Sequence, residues 1–442
     1  MSLILFLIFL KMKKTTKYLF YVIAWVGAVI SFSSCEQDEP MDSPFVGPEE
    51  QAESTILIYS VATNSLRYNL VYDKKEMLEA AQYIDLDRHN VLIFQTSYRI
   101  DEENNVFTNE GEVSLIKLVK EEEEYGWETV KEYSMDVASL NPTRINEVVD
   151  YVITNFPADT YGLMFWSHST GSQPYLTGRD MAENAPATYS FGQDLTTNDQ
   201  KYVQINVDEL AEALPDNLFK FIWFDSCYMS NIESIYQLRN KCDYYIGYPT
   251  EVLDDGNPYQ IVLPYLTSLD PDVLGAAHAF FNYYDFEYYV RIATIALMDM
   301  SKIELLADFC NKIYTQQTLQ SISNLHKYTR GSTGPFYDLG DYTKAMALLD
   351  EAEVSNDEWK ELLDECLLYR NATPYDFSGR AIDPVRYSGI STHVYNFESN
   401  SDAEKYYRSL DWYKRVFFKD SEDVEDNPDE ENNDSTITEN IE

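Results

Sequence analysis

Cysteine and histidine are scarce in this chain of 442 residues, which contains five of each. The cysteines are irregularly spaced, and no two of them form a C-x-x-C pair. This pattern argues against a disulfide scaffold and against a structural zinc site. Any cysteine chemistry must therefore be identified from the residues around a single thiol.

Basic residues are also few, with 33 Lys and Arg against 75 Asp and Glu and a formal net charge of −42. No basic stripe interrupts this acidity, so the composition argues against nucleic acid as a partner. Apolar residues make up 45% of the chain. That is enough to build a sizeable core, which excludes global disorder.

The last part of the chain is almost entirely acidic and polar. Residues 420–442 consist mainly of Asp, Glu, Asn, Ser and Thr. Such a segment cannot bury enough apolar surface to fold. We expect residues 413–442 to form a disordered, solvated tail, and the same composition is also typical of an acidic interaction tail.

The first 35 residues have the pattern of a targeting segment. A basic stretch at residues 11–17 precedes an apolar run at residues 18–33, and Ser33-Ser34-Cys35 follows. This resembles a bacterial lipoprotein signal, in which Cys35 is lipidated and acyl chains hold the protein on the membrane. The alternative is an uncleaved transmembrane helix, but the run is short and lies directly before Cys35.

Residues 36–53 are rich in proline and acidic residues and are predicted to form a tether. The acidic residues after Cys35 resemble the surface-export signal of some Gram-negative lipoproteins. The expected location is therefore the cell envelope, with a lipid anchor in the outer membrane and possible exposure at the surface.

Short apolar runs alternate with helical spacing over residues 54–412. Runs typical of buried strands occur at residues 56–61, 90–95, 161–166, 219–224 and 244–247. The spacing predicts helices between them, hairpins at 99–134 and a surface loop at 170–204. This alternation favours one α/β domain with a largely parallel sheet covered on both faces.

Two of the predicted strands end next to residues that can carry chemistry. One runs into Ser167-His168, and the other runs into Asp225-Ser226-Cys227. Ligands bind at the carboxyl ends of strands in open α/β sheets, so His168 and Cys227 are candidates for a thiol nucleophile and its base. The pattern alone leaves another interpretation open, a buried structural cysteine and a hydrogen-bonded structural histidine.

The sequence around these two residues resembles the clostripain family of cysteine peptidases. In that family a Trp-x-His-Gly-x-Gly-like motif and a later Asp-Ala-Cys-x-Met motif follow two strands. The matching segments here are Trp166-Ser167-His168-Ser169-Thr170-Gly171 and Asp225-Ser226-Cys227-Tyr228-Met229. The resemblance continues through Glu233 and residues 244–247, 337–342 and 388–391.

The resemblance implies a caspase-like three-layer α/β/α sandwich with a mostly parallel central sheet. It implies that His168 is the base, that Cys227 is the nucleophile, and that the backbone N–H groups of Ser169 and Cys227 hold the oxyanion. It further implies that Asp225 lines a pocket for Arg or Lys, where a carboxylate pairs with a cation. The alternative for Asp225 is a helix N-cap or strand-end acid.

Members of the family often cut themselves between the histidine and the cysteine. Arg179 and Lys201 are basic residues in the predicted loop and are candidate processing sites. The chain departs from the family at Ser169, where the family has glycine. If that position requires φ > 0, serine costs about 1 kcal/mol or more and tilts the oxyanion donor.

Proteins or peptides are thus the expected substrates, and the composition leaves the oligomeric state open. The alternative function is a catalytically inactive surface lipoprotein that binds peptide or glycan. A calcium-binding accessory protein has no support, because the sequence contains no DxDxDG-type loop. We expect no required cofactor and no metal site. Dependence on Ca²⁺ stays open, because some relatives in the clostripain family depend on it.

Overall fold

A computed structural model describes residues 51–101, 106–174, 191–194, 203–328, 336–349 and 351–418 of the protein. The predicted signal segment lies outside the described residues, as do most of the predicted tether and the tail from residue 419.

Among the strands of the described residues, nine form one central sheet, and the other four form two small antiparallel pairs. The strands are β1 (Ala52–Val61), β2 (His89–Asp101), β3 (Val106–Glu121), β4 (Glu124–Glu132), β5 (Ala158–Trp166), β6 (Phe191–Asp194), β7 (Val203–Ile205), β8 (Phe219–Asp225), β9 (Cys242–Gly247), β10 (Thr294–Asp299), β11 (Phe336–Asp338), β12 (Leu367–Ala372) and β13 (Ser391–His393).

The helices follow the strands in alternation over the first two thirds of the fold. They are α1 (Arg67–Ala80), α2 (Pro142–Asn155), α3 (Val207–Ala213), α4 (Ile232–Gln237), α5 (Tyr259–Leu266), α6 (Val273–Asn282), α7 (Ile303–Ile313), α8 (Leu339–Leu349), α9 (Asn356–Cys366), α10 (Asp402–Ser409) and α11 (Asp411–Phe417).

The central sheet has a parallel middle and antiparallel edges. Its order is β12-β10-β9-β8-β5-β1-β2-β3-β4. Strands β2, β1, β5, β8 and β9 are parallel to one another, whereas β10 and β12 on one side and β3 and β4 on the other each pair antiparallel with their neighbours. The carboxyl ends of five parallel strands therefore meet at one edge of the sheet, where α/β proteins place their sites.

Successive side chains of the central strands belong to two different buried clusters. Tyr59 and Phe165 pack on one face with α2, α3, α4, α7 and α11. Ile58 and Met164 pack on the other face with α1, α5 and α6. Because strand side chains alternate between faces, a strand covered on both sides must be apolar throughout. The predicted α/β/α sandwich is confirmed.

The structure departs from the predictions at three places. The predicted surface loop at 170–204 is wrong at residues 191–194 and 203–204, because β6 and β7 pair antiparallel there, and Phe191 packs 5.2 Å from the ring of Phe165. The fold also runs past residue 412, since α11 buries Val416 and Phe417. Strand β12 was not predicted, because its sequence is mixed and follows α9 without a turn signal.

Among the described residues, no helix has both the length and the apolar character that a membrane span requires.

Candidate active site

The register of two parallel strands brings the predicted site residues to one place. Trp166 at the end of β5 lies beside Asp225 at the end of β8. His168 and Cys227 each follow two residues later, and neighbouring strands lie about 4.8 Å apart. His168, Cys227 and Asp225 all line one cavity of about 310 Å³.

His168 is held by hydrogen bonds from three segments. The Ser167 hydroxyl donates to the carbonyl of Val61 at 2.8 Å, and the Gly192 N–H donates to the carbonyl of His168 at 2.8 Å. The Ser65 hydroxyl lies 2.7 Å from Nε2 of His168. Ser65 follows the carboxyl end of β1, and no pattern in the sequence marked it as part of the site.

The imidazole of His168 is in an environment that keeps it neutral. Burial lowers its pKa below the usual range, and the nearby Asp254 carboxylate opposes this shift. At neutral pH the ring is therefore unprotonated and able to accept a proton. Asp254 also lines the cavity, and sequence reasoning did not identify it.

Cys227 differs from the other described cysteines in its exposure. It is half-buried, and its Sγ lies 3.9 Å from the carbonyl of Val252, whereas Cys242, Cys310 and Cys366 are buried. Burial raises the pKa of the Cys242 thiol, and it raises those of Cys310 and Cys366 to about 12 and about 11. These three thiols stay protonated at neutral pH and are poor nucleophiles.

A sharp turn follows Cys227. Tyr228 has a φ of 61°, in the left-handed region that bulky side chains avoid. The Tyr228 N–H donates to the carbonyl of Thr250 at 3.0 Å, and Nδ2 of Asn231 donates to the carbonyl of Tyr228 at 2.7 Å. These bonds hold the turn in a strained conformation, which is common near functional sites.

The helix that follows this turn does not start directly after Cys227. Helix α4 begins at Ile232, and Asn231 caps it by accepting a hydrogen bond from the Ser234 N–H at 2.9 Å. The apolar spacing is helical from residue 229 onward, but the left-handed turn at Tyr228 and the cap at Asn231 place the start of the helix at Ile232. Cys227 therefore lies outside the first turn of α4.

The glycine that the local backbone requires is Gly171, not the residue after His168. Ser169 is not among the described non-glycine residues with positive φ, so it carries no left-handed strain. Gly171 has a φ of 70°, and a Cβ there would lie 2.6 Å from the Phe336 ring and 2.9 Å from the carbonyl oxygen of Tyr228. The histidine segment thus packs directly against the turn after Cys227.

Asp225 lies at the floor of the cavity and is 4% exposed. Its Oδ2 accepts hydrogen bonds from the Asn257 N–H and the Tyr259 hydroxyl, both at 3.0 Å. Its Oδ1 is buried and has no hydrogen-bond partner among the described residues. Asp225 does not cap α4, so the N-cap alternative is wrong.

Burial raises the pKa of Asp225 to about 6, and its two hydrogen bonds oppose that shift. Two further carboxyl groups lie behind it. Trp166 Nε1 donates to Asp73 at 2.8 Å, and the Tyr259 N–H donates to Glu76 at 2.9 Å. Burial and the charge of Asp225 raise the pKa of Asp73 to about 9, and burial raises that of Glu76 to about 7. At neutral pH Asp225 is therefore mostly ionised, Glu76 is partly ionised and Asp73 is uncharged.

Three other predicted site residues, Cys35, Arg179 and Lys201, lie outside the described residues. No group of His, Cys, Asp or Glu with the arrangement of a metal site occurs in the described part of the chain. The expectation that no cofactor is required stays a prediction.

The model of the clostripain family matches residues 58–426 of the chain. The chain is similar to a secreted C11 cysteine protease from Bacteroides thetaiotaomicron, solved with an irreversible peptide inhibitor. Identity is 26% and the TM-score 0.67, over 83% of this chain and 99% of that one. It is similar to an inactive zymogen C11 protease from Parabacteroides distasonis, with 26% identity and a TM-score of 0.64, over 84% of this chain and 99% of that one. No curated relative matches. The chain belongs to the clostripain family and is a C11-type cysteine peptidase.

Proposed function

We propose that this peptidase is an endopeptidase that cleaves after Arg or Lys, with Cys227 as nucleophile and His168 as base. One observation carries the proposal. His168, Cys227 and Asp225 line the same cavity, and the buried Oδ1 of Asp225 has no hydrogen-bond partner among the described residues. A cationic side chain entering the cavity supplies both a donor and a counter-charge to that oxygen.

In this mechanism the neutral imidazole of His168 takes the proton of the Cys227 thiol. Because Nε2 is engaged by Ser65, we assign this transfer to Nδ1. The thiolate attacks the scissile carbonyl, and the imidazolium then protonates the leaving amine. Water attacks the acyl-enzyme, with His168 as base again, and releases the acid and the thiol.

The oxyanion of the tetrahedral intermediate is assigned to the backbone N–H groups of Cys227 and Ser169. Ordinary backbone geometry at Ser169 supports this assignment, because replacing the family's glycine there introduces no left-handed strain. Donors fixed by the fold before reaction are worth more than donors that must reorient.

We further propose that the enzyme matures by cutting itself after Arg179 or Lys201. Arg179 lies between residue 174 and Phe191 in the chain, and Lys201 lies between residue 194 and Val203; on the near side of Arg179, Ser169 bridges to Phe191, and the Gly192 N–H bonds to the His168 carbonyl. The similarity to a zymogen supports such a step. Sequencing the new N-terminus of a purified, two-chain enzyme tests it, and a terminus at neither residue 180 nor residue 202 contradicts it.

We propose that the enzyme is lipidated at Cys35 and works in the cell envelope, exposed at the surface of the outer membrane. The similarity to a protease described as secreted supports export. Replacing Cys35 by serine should release the protein from the membrane fraction. A variant that remains there to the same extent as the wild type contradicts the anchor.

The proposed activity is tested by hydrolysis of fluorogenic peptides that end in Arg, Lys or Ala, with Cys227→Ala as the matched control. We expect turnover of the Arg and Lys peptides and none in the control. Adding a chelator to the same assay tests the expectation that calcium is not required. If no peptide is cleaved, even after limited trypsin treatment, the alternative of an inactive peptide- or glycan-binding lipoprotein gains support.

A further inference from the structure

A second concave surface lies outside the catalytic cavity and concentrates positive charge. This cleft of about 760 Å³ is lined by the cationic side chains of Lys327, Arg380 and Arg386 and by His326, whose pKa is lowered by burial so that the ring is neutral at neutral pH. The chain as a whole has a net charge of −42, so a cluster of basic side chains around one cleft is a marked local exception. We call this surface the basic cleft.

The carboxylates that pair with these arginines lie behind them. Arg380 Nε donates to Oδ2 of Asp376 at 2.9 Å, and the side chain of Asp376 is fully buried. Arg386 Nε donates to Oδ1 of Asp341 at 3.1 Å, and that side chain is 8% exposed. The two arginine side chains are 35% and 42% exposed. The surface that faces the cleft is therefore cationic, although the pairs are neutral overall.

Two nitrogen atoms of the residues that line the basic cleft, Nη2 of Arg380 and Nε2 of His326, are buried and have no hydrogen-bond partner among the described residues. Burial, together with the positive charge of Arg380, lowers the pKa of Lys327. Two cations held close together repel each other, and an anion between them relieves that repulsion. A carboxylate is the ligand that satisfies both the charge and the geometry of a guanidinium group.

A tight turn connects the basic cleft to the catalytic cavity. Tyr375 and Ala381 form an antiparallel bridge, and between them Oδ1 of Asp376 accepts the N–H groups of Ser378 and Arg380 at 2.8 and 2.9 Å. Phe377 on this turn lines the catalytic cavity, while Arg380 lines the basic cleft. At about 3.5 Å per residue, three residues span about 10 Å at most. A polypeptide bound in the cavity reaches the basic cleft within a few residues.

We propose that the basic cleft is an exosite that binds acidic side chains of the polypeptide substrate, a few residues from the scissile bond. The inference rests on the proposed peptidase function. It adds a second requirement to the specificity of the enzyme, an acidic side chain in the substrate besides the basic Arg or Lys residue. A large polyanion is a poorer fit, because the net charge of the protein repels it at long range. A short acidic motif next to an Arg or Lys residue has a smaller net charge, because the basic residue offsets part of it, so the protein repels it less.

Matched peptides test the exosite. Each has one central Arg, and a pair of Glu residues stands three to six positions away on one side or the other. A twin peptide carries Gln in place of Glu. The readout is the ratio of kcat/KM for the Glu peptide to that for the Gln peptide. We expect a ratio of roughly five for one side in the wild type, which is the size of a partly buried surface ion pair.

The variant Lys327→Gln should bring this ratio close to one, and high salt should do the same. The matched control is Lys405→Gln, because Lys405 is an exposed lysine that pairs with Asp402 far along the chain from the cleft. The control should keep the wild-type ratio. A wild-type ratio of one at every position overturns the exosite, and so does an equal loss in both variants, since that indicates only a general charge effect.

A binding measurement separates failure of the exosite from failure of the peptidase. Fluorescence anisotropy of the labelled Glu and Gln peptides is recorded on the full-length Cys227→Ala protein, which needs no turnover. Tighter binding of the Glu peptide, weakened by Lys327→Gln, supports the exosite even if no peptide is cleaved. Equal binding of the two peptides overturns it, as does preferential binding of a sulfated polysaccharide.

Discussion

Replacing Asp225 by asparagine removes one charge at the floor of the catalytic cavity without changing the shape of the side chain. An asparagine oxygen can still accept the hydrogen bonds that Asn257 and Tyr259 donate. A bound Arg side chain, however, loses its buried counter-charge. Breaking a buried ion pair costs about 3 kcal/mol or more, and each 1.4 kcal/mol is a factor of ten. We therefore expect kcat/KM for an Arg peptide to fall roughly 150-fold.

The assay compares two peptides that differ only in Arg or its neutral isostere citrulline. Asp225→Asn should collapse the preference for Arg, because the citrulline peptide never used the charge. Because the pKa of Asp225 is about 6, the wild-type kcat/KM for Arg should also fall as the pH drops through about 6. The part of the fall that belongs to Asp225 should be absent from the variant, and the acid limb that remains belongs to His168.

The matched control is Asp73→Asn. Asp73 is a buried neighbour whose pKa of about 9 leaves it uncharged at neutral pH, so the control should keep the preference for Arg. If Asp225→Asn slows the Arg and citrulline peptides equally, Asp225 supports the fold and does not set specificity. A loss of the Arg preference in the Asp73 variant refutes the assignment of the charge to Asp225.

The remaining predictions concern the base, the backbone and stability. Asp254→Asn should lower the pH at which protonation of His168 reduces kcat/KM, because Asp254 raises the pKa of that imidazole. A shift of this fall in kcat/KM to higher pH contradicts the prediction. Gly171→Ala should lower the free energy of unfolding by about 2 kcal/mol or more, through left-handed strain and contact with the Phe336 ring. Gly379 has a φ of 74° and open space around it, so Gly379→Ala should cost only the strain and destabilise the protein less than Gly171→Ala does. Equal denaturation midpoints for the two variants contradict a contribution from the contact with the Phe336 ring. Asp73 ionises near pH 3.8 when unfolded and near 9 when folded, so its burial lowers stability increasingly as pH rises between these values. Asp73→Asn should thus stabilise more at about pH 8 than at about pH 5 in thermal melts, and a pH-independent effect refutes it.

The sequence carried most of the information on the fold, because strands buried on both faces must be apolar throughout. Runs such as the one before Ser167 were therefore recognisable without any structure. Strand β12 was not, since an antiparallel edge strand carries mixed residues and needs no apolar run. The hairpin of β6 and β7 was missed because it is held by long-range packing of Phe191, which leaves no local pattern.

The candidate site was predictable to the extent that it follows strand ends. His168 and Cys227 were found because each follows a predicted strand and matches a motif of the clostripain family, and Asp225 was found from the resemblance; the structure places them together because β5 and β8 finish in register beside each other. Ser65, which bonds to His168, and Asp254, which lines the cavity, were missed because they lie in loops after other elements, where polar residues are common and carry no signal. The left-handed turn at Tyr228 was invisible too, since nothing in the sequence distinguishes a tyrosine held at positive φ.

The central claim is that Cys227 is the nucleophile of a peptidase selective for Arg or Lys, and covalent labelling tests it most directly. The protein is incubated with a peptide that ends in Arg and carries a thiol-reactive electrophile, and the modified residue is located by mass spectrometry. The account predicts one label, on Cys227, that forms much more slowly in His168→Ala and is blocked by an excess of Arg peptide. Labelling of another cysteine, or equal labelling by a peptide that ends in Ala, contradicts it.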